Sequence, residues 1–250
     1  DIVHINSSTS GTIIFHLIRS SEFMPKNYKG KAILEMTDLI SKNYLQLYKK
    51  LSFINPLKYL YFIEQMLVEK YEKNISKLFS KIVLVSKKDS KFFLIEHNKK
   101  KRIQIVSNGT DKKKKLYKFK KNNKDIVFIG NINYLPNKIA CFNFIKAIMP
   151  KVEIKGVDIN FKIIGQTSDF LKKKLMKFKN VKVYNNVAFP EKLCTNAICG
   201  ISNLSVVTGV QNKIMEYMRI GLPTIVSEKC FDNLNFKKNK ELLVYKNEGE

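Results

Sequence analysis

The sequence predicts an α/β fold of two Rossmann-like units with parallel sheets, the first of them incomplete. Three observations lead there. Short β-branched runs alternate with helical stretches along the chain, its 250 residues exceed the roughly 100–150 of a common single domain, and a Lys/Asn-rich stretch divides the alternation in two. A hydrophobic fraction of 44% and an aromatic fraction of 11% supply enough Leu, Ile, Val and Phe for real cores and exclude wholesale disorder.

In chain order, residues 2–5 and 12–17 are apolar and β-branched around a Ser/Thr/Gly-rich stretch, which predicts strand, turn, then strand or helix. Residues 31–36 read as a buried strand ending at Thr37-Asp38, with Asp38 or Ser41 available to cap the helix that follows. From 56 to 79 apolar side chains return at helical spacing, at Leu60, Ile63, Leu67, Tyr71, Ile75 and Leu78, which predicts a long amphipathic helix. Residues 81–85 form a short strand, 89–95 a helix, and 102–106 a strand closing on Ser107-Asn108-Gly109-Thr110-Asp111.

Residues 1–112 therefore make the first unit, 113–124 a solvated Lys/Asn-rich connection, and 125–250 the second unit. The second opens with strand 125–129, which runs into Gly130-Asn131 and then a helix from about 137 to 149 that stops at Pro150. Strands at 160–164, 181–184, 197–202 and 224–226, with helices at 167–178, 190–193 and 211–220, continue the alternation without a fixed repeat. Asp1 stands where a complete chain would have Met, and residues 241–245 read as a strand just before the end. The sequence is thus expected to be a fragment cut at both ends.

The formal net charge is +25, yet arginine occurs only at Arg19, Arg102 and Arg219. Arginine is the side chain suited to bidentate phosphate and base recognition. Its scarcity, with lysine spread along the chain, argues for a solvated basic surface or attraction to anionic lipid, and against specific nucleic-acid binding. Cys141, Cys194, Cys199 and Cys230 form no Cys-x-x-Cys pair and have no histidine at zinc-ligand spacing, so reduced core thiols are expected. No apolar stretch approaches the roughly 18–20 residues of a membrane span. A cytoplasmic location fits, with the inner face of the membrane open to a lysine-rich surface.

The chemistry concentrates in Thr208-Gly209-Val210-Gln211-Asn212-Lys213-Ile214-Met215-Glu216, followed by Gly221-Leu222-Pro223-Thr224-Ile225-Val226. Gly209 allows close backbone approach to a ligand, and the free N–H groups near Val210 to Asn212 at a helix start suit a diphosphate. Glu216, about one and a half turns on, can accept hydrogen bonds from two ribose hydroxyls, and Lys213 adds positive charge. Taken alone, the run is also accounted for as an ordinary amphipathic helix, with Ile214, Met215 and Met218 in a core and Lys213 and Glu216 facing water.

This run resembles the donor-binding signature of glycosyltransferase family 4, in a branch that reads Gly-hydrophobic-Gln-Asn-Lys-hydrophobic-hydrophobic-Glu. Further stretches agree in order: residues 127–137 with Gly130-Asn131, Phe161-Lys162-Ile163-Ile164-Gly165, residues 106–111, and residues 81–86 with Asp89. Arg19, Asp38, Glu64 and Glu72 also stand where the branch carries similar residues. The resemblance implies a GT-B fold, with the donor nucleotide on the second domain and the acceptor on the first. It implies retention of anomeric configuration, no metal in the site and no cofactor. The donor is then a UDP-sugar or GDP-sugar, and the acceptor a glycan or lipid-linked chain of envelope or exopolysaccharide synthesis.

On this reading Gly130, Asn131, Thr208, Gly209, Val210, Gln211, Asn212, Lys213 and Glu216 bind donor. The family's Glu-x7-Glu motif is half present, because Thr208 stands eight residues before Glu216. That departure opens a second reading, a non-catalytic module of the same fold; a basic nucleic-acid-binding protein is a third, motivated by charge alone. The basic residue that many members place after the first glycine loop is not evident, with Lys138 and Lys213 as candidates. His4 resembles an acceptor-side histidine, with His16 as a competing position and a structural role open for both. Asp38, at the carboxyl edge of a sheet, either reaches the acceptor or caps a helix. Glu64 and Glu72, eight apart on one helix, are expected to be solvated or lysine-paired.

Overall fold

The computed structural model describes residues 3–5, 11–24, 28–97, 102–111, 117–118, 120–247 and 249, with the backbone alone at 3–5 and 94–97. Its contacts divide the chain into two compact units. The first is Asp1–Asn108 with Thr208–Val210, and the second is Gly109–Val207 with Gln211–Glu250.

The first unit is a five-stranded sheet in the order β1-β2-β3-β4-β5, formed by Val3–Ile5, Thr12–His16, Lys31–Met36, Lys81–Leu84 and Ile103–Ile105. Strands β2 to β5 pair in parallel, but β1 pairs antiparallel with β2, setting Val3 opposite Phe15 and Ile5 opposite Ile13. The pairing fits the strand-then-strand alternative expected for residues 2–5 and 12–17, at the edge of an otherwise parallel sheet. Residues 6–11 are too few for a parallel crossover, which needs roughly a dozen residues or more. On β3, Ala32, Leu34 and Met36 are buried in alternation and join Phe15, Ile82, Leu84 and Phe93 in one core. Phe15 meets Phe79 edge to face at 5.4 Å.

Helices α1 (Ile40–Lys50) and α2 (Pro56–Ile75) lie between β3 and β4 in the chain, and α3 (Lys87–His97) follows β4. Asn55 caps α2 by accepting from the Leu57 N–H at 3.0 Å, and Pro56 fits the first turn because its missing N–H would have no partner there. Lys58 returns to the end of α1, donating to the carbonyls of Tyr48 and Leu51 at 3.0 and 2.9 Å. At the other end of the pair, Glu72 is fully buried and its carboxylate accepts from the Ser41 N–H at 3.2 Å and from the Ser41 hydroxyl. It therefore caps α1 from a neighbouring helix, which corrects the expectation of a solvated or lysine-paired acid. The N-cap position of α1 is Leu39, without a side-chain bond, so neither Asp38 nor Ser41 caps it in the usual way.

The second unit is a six-stranded, all-parallel sheet in the order β11-β10-β9-β6-β7-β8. Its strands are β6 Asp125–Ile129, β7 Asn160–Ile164, β8 Val181–Tyr184, β9 Cys199–Ser202, β10 Thr224–Ser227 and β11 Leu243–Tyr245. Helices α4 (Leu135–Asn143), α5 (Met149–Ile154), α6 (Asp169–Leu175), α7 (Pro190–Cys194), α8 (Asn212–Ile220) and α9 (Glu228–Phe231) connect them. Phe128, Phe161, Ile163 and Ile201 lie in one hydrophobic core, while Val127, Ile164 and Tyr217 lie in another. The four cysteines are free and buried, as expected of core thiols.

Two expectations fail here for local reasons. The helix after β6 does not stop at Pro150. A π-turn at Phe144–Ile148 widens the backbone ahead of the proline, Pro150 takes the first turn of α5, and helix continues to Ile154. The Lys/Asn-rich stretch is not wholly solvated either: the Tyr117 N–H donates to Ile220 at 3.0 Å, the Lys118 N–H donates to Thr195 at 2.9 Å, and the Tyr117 ring packs on the core around Tyr217. The aromatic ring offers apolar area that a purely charged connector lacks.

Candidate functional site

In the second unit β6, β7 and β8 run outward to one side and β9, β10 and β11 to the other, so the order of strands reverses between β6 and β9. Open parallel sheets bind ligands outside the carboxyl ends of the strands at such a reversal. β6 ends in Gly130-Asn131. The Gly130 N–H donates to Ile164 at 2.9 Å, and a Cβ on Gly165 (φ +138°) would overlap the Gly130 carbonyl, so the two backbones approach closely because residue 165 is glycine. A Cβ on Gly130 (φ +157°) would stand 3.0 Å from Asn137 Nδ2 and 3.4 Å from Lys213 Nζ. The bare backbone thus leaves room beside two polar side chains.

Asn137 links these groups. Its Nδ2 donates to the Asn131 carbonyl at 2.8 Å, and its Oδ1 accepts from Lys213 Nζ at 2.7 Å. Lys213 is 7% exposed and stands 3.8 Å from the centre of the Phe128 ring. Burial pushes its ammonium from 10.5 down to about 8, a shift eased slightly by the nearby thiols of Cys141 and Cys230. Among the described residues no carboxylate pairs with it. Lys213, expected either to add charge near phosphates or to face water on an ordinary helix, is thus a buried cation beside a glycine loop, a position that an anion would stabilise.

Helix α8 begins at Asn212, with Gln211 as N-cap, and ends on Gly221 in the left-handed conformation. Ile214, Tyr217 and Ile220 face the cores, which turns Glu216 outward. Glu216 is half-buried and lines a cavity of about 300 Å³ with Ile129, Pro190, Glu191, Arg219 and Ile220. Its Oε2 accepts from Arg219 Nη2 at 2.8 Å and Nε at 3.1 Å. Tyr217, fully buried one residue on, accepts from the Ile129 N–H at 2.7 Å and so ties α8 to the end of β6.

The preceding residues, Thr208–Val210, group with the first unit. The Gly209 N–H donates to Asp89 Oδ2 at 2.6 Å, and a Cβ on Gly209 (φ +63°) would overlap Asp38 Oδ1. The Gly209 amide, just ahead of those expected to be free near Val210 to Asn212, is therefore occupied by a carboxylate of the protein, and the close approach expected of Gly209 toward a ligand is made to Asp38. Thr208 is buried and hydrogen-bonds Asp38, and Val210 is buried. Asp38 lies just beyond β3, at the predicted sheet edge. Although the residue as a whole is exposed, crowding around the carboxyl group and then the Asp89 charge push it from 3.8 to about 6.

Asp89 and Lys42 pair in the interior, and neither was a predicted site residue. The signal available for Asp89 was Ser86 three residues before it, since the Asp89 N–H donates to Ser86 Oγ at 3.0 Å as in a capping box. His4 lies on β1 opposite Ile14, and its side chain is outside the described residues. His16 Nδ1 stands 2.5 Å from Glu35 Oε2 across paired strands, a structural contact.

A family profile described as glycosyl transferases group 1 matches residues 123–249, half of the chain. The chain belongs to this family. No curated protein matches the sequence. Among solved structures, TarM superposes with a TM-score of 0.62 at 16% identity over 94% of this chain and 45% of that one. The sucrose-phosphate synthase of Thermosynechococcus elongatus gives 0.62 at 11% identity, covering 87% and 56%. WaaG, a glycosyltransferase involved in lipopolysaccharide biosynthesis, gives 0.57 at 12% identity, covering 86% and 62%. At these identities the likeness speaks for the fold, which is GT-B. This group 1 chain spans about half the length of the structures it matches.

Proposed function

We propose that this group 1 chain is the donor-binding part of a retaining glycosyltransferase. In this reading it moves a hexosyl group from a UDP-sugar or GDP-sugar to a glycan or lipid-linked acceptor in envelope or exopolysaccharide synthesis, without a metal or cofactor. The observation that carries the reading is Lys213, a buried ammonium without a carboxylate partner among the described residues, beside Gly130 at the strand-order reversal. A diphosphate supplies the anion such a group calls for. Lys213, the backbone at Gly130-Asn131 and the first-turn amides of α8 hold the phosphates. Glu216 accepts from ribose hydroxyls at the rim of its cavity.

Bond cleavage leaves charge on the departing diphosphate, and a fixed cation with a helix N-terminus lowers the barrier by stabilising it. Thr208 occupies the place of the carboxylate that relatives turn to the sugar, and Asp38 with His4 serves the acceptor side. HepE of Anabaena, solved with UDP-glucose, has the same fold at a TM-score of 0.59 and 11% identity over 86% of this chain and 59% of that one, which favours a UDP-sugar. The protein works in the cytoplasm against the anionic inner face of the membrane. A second reading, a non-catalytic donor-binding module, draws on Thr208 in place of a carboxylate.

Calorimetric titration of UDP and GDP into the full-length protein and its Glu216→Ala variant tests the reading. Binding of one nucleotide that weakens at least tenfold in the variant supports it, a loss in line with hydrogen bonds to a charged group worth roughly 1.5–3 kcal/mol. Absence of heat from both nucleotides, or equal binding by the variant, overturns it. Sugar transfer or donor hydrolysis by the full-length protein eliminates the non-catalytic module.

A further inference from the structure

Between Tyr59 and Leu67 helix α2 carries apolar residues that face away from the core. Tyr59, Leu60, Ile63, Met66 and Leu67 fall within one half of the helical circumference. All are exposed, Ile63 at 54% and Leu67 at 58%, and just ahead of the helix Phe53 and Ile54 are exposed at 73% and 77%. The opposite side meets α1, where Tyr44 stacks on Tyr61 at 5.6 Å and Glu72 caps the first turn. Helical spacing that ordinarily directs side chains inward therefore leaves a continuous apolar strip along a 20-residue helix, about 30 Å long.

Charge selects the occupant. Lys70 and Lys73 are exposed and extend the strip by helical spacing toward its end. The three acids of α2 turn away from it: Glu72 is buried, and Glu64 and Glu69 are half-buried, with Glu69 accepting from Gln65. An apolar face with lysines at its margin and its acids withdrawn is the pattern of a helix lying in the plane of an anionic bilayer surface. A second copy of the chain is the poorer partner, because it would bring a second net charge of +25 against the same lysines. The helix is not long and apolar enough to cross a membrane.

We infer that the outward face of α2, from Phe53 to Lys73, seats the protein on anionic lipid, with its apolar side chains below the headgroups and Lys70 and Lys73 at phosphate level. This names the surface for the membrane contact in the proposed function, and it stands or falls without nucleotide. The test is co-sedimentation of the full chain with vesicles of phosphatidylcholine and phosphatidylglycerol, and with vesicles of phosphatidylcholine alone. We expect binding to the mixed vesicles, at least tenfold weaker binding by Ile63→Gln/Leu67→Gln, and weaker, less salt-sensitive binding by Lys70→Glu/Lys73→Glu.

Both pairs are exposed, so unchanged melting curves confirm that the variants fold. Wild-type protein that stays in solution with mixed vesicles overturns the inference, as does an Ile63→Gln/Leu67→Gln variant that sediments like wild type. A concentration-dependent dimer abolished by that pair, without vesicle binding, assigns the face to a second copy and also overturns it. UDP titration in the absence of vesicles is expected to be equal for wild type and both pairs, so loss of lipid binding and loss of the donor site are read separately.

Discussion

Lys213 Nζ lies 2.7 Å from Asn137 Oδ1, and the same ammonium stands 3.8 Å from the centre of the Phe128 ring. An amide oxygen and a ring face solvate a cation less well than water does, and the ammonium falls to about 8. A depressed lysine pKa means that the charged form costs the folded state. The cost is full below pH 8 and fades as pH rises toward 10.5. Lys213→Met should therefore stabilise the nucleotide-free protein at pH 7, by on the order of 1–3 kcal/mol after the lost hydrogen bond is deducted. The same variant should lose at least tenfold in UDP affinity. Melting curves and titration check both; a variant less stable at pH 7 that binds UDP as before contradicts the assignment.

Gly165 tests the loop that makes room for the site. Any side chain there meets the Gly130 carbonyl, and the backbone stands at φ +138°. Gly165→Ala should cost roughly 2–4 kcal/mol, because strain and overlap add and the obstacle is backbone that cannot swing aside. Urea denaturation measures it. A midpoint equal to wild type would show that the loop has more freedom than its geometry indicates.

The parts of this fold that were readable in sequence are those set by local pattern. The strands at 125–129, 160–164 and 181–184 are found where β-branched alternation put them, and α8 starts within a residue of its expected place. What escaped depended on partners distant in sequence. Glu72 reads as a surface acid until α1 folds beside α2 and offers Ser41. Gly209 reads as a point of close backbone approach to a ligand until Asp89, far upstream, accepts a hydrogen bond from its N–H. Lys213 was singled out as a cation near phosphates, but its burial against Phe128 requires β6 and α8 to pack together. Pro150 marked a real disturbance, and only the π-turn ahead of it explains why the helix survives.

Tyr217 shows how the core holds the site. Its ring packs over Gly200, where a Cβ would lie 2.6 Å from the ring, and its hydroxyl takes the Ile129 N–H at the end of β6. Tyr217→Phe keeps the ring and leaves that partly buried amide without the hydroxyl, so a loss of about 1–3 kcal/mol is expected in urea denaturation. A stability equal to wild type would mean that water reaches the Ile129 amide and that the hydroxyl is dispensable.

Glu72 gives the first unit a dependence on pH. Burial, partly offset by the bonds from Ser41, raises its carboxyl from 4.5 to about 7. The folded state therefore holds the proton more tightly than the unfolded chain. Protonated Glu72 favours folding below about pH 4.5, and that advantage is lost as pH rises to about 7, beyond which a buried carboxylate must be carried. The change across this window is on the order of 3 kcal/mol. Asp38, raised to about 6 by burial and by Asp89, acts in the same direction over a narrower range. Glu72→Gln removes the titrating group while leaving an acceptor for the Ser41 N–H. Denaturant midpoints measured from pH 5 to 8 should decline in wild type and decline less in Glu72→Gln, which keeps only the Asp38 contribution, lost by about pH 6. Parallel declines in the two proteins would place the pH dependence elsewhere and leave Glu72 as a cap whose charge does not matter.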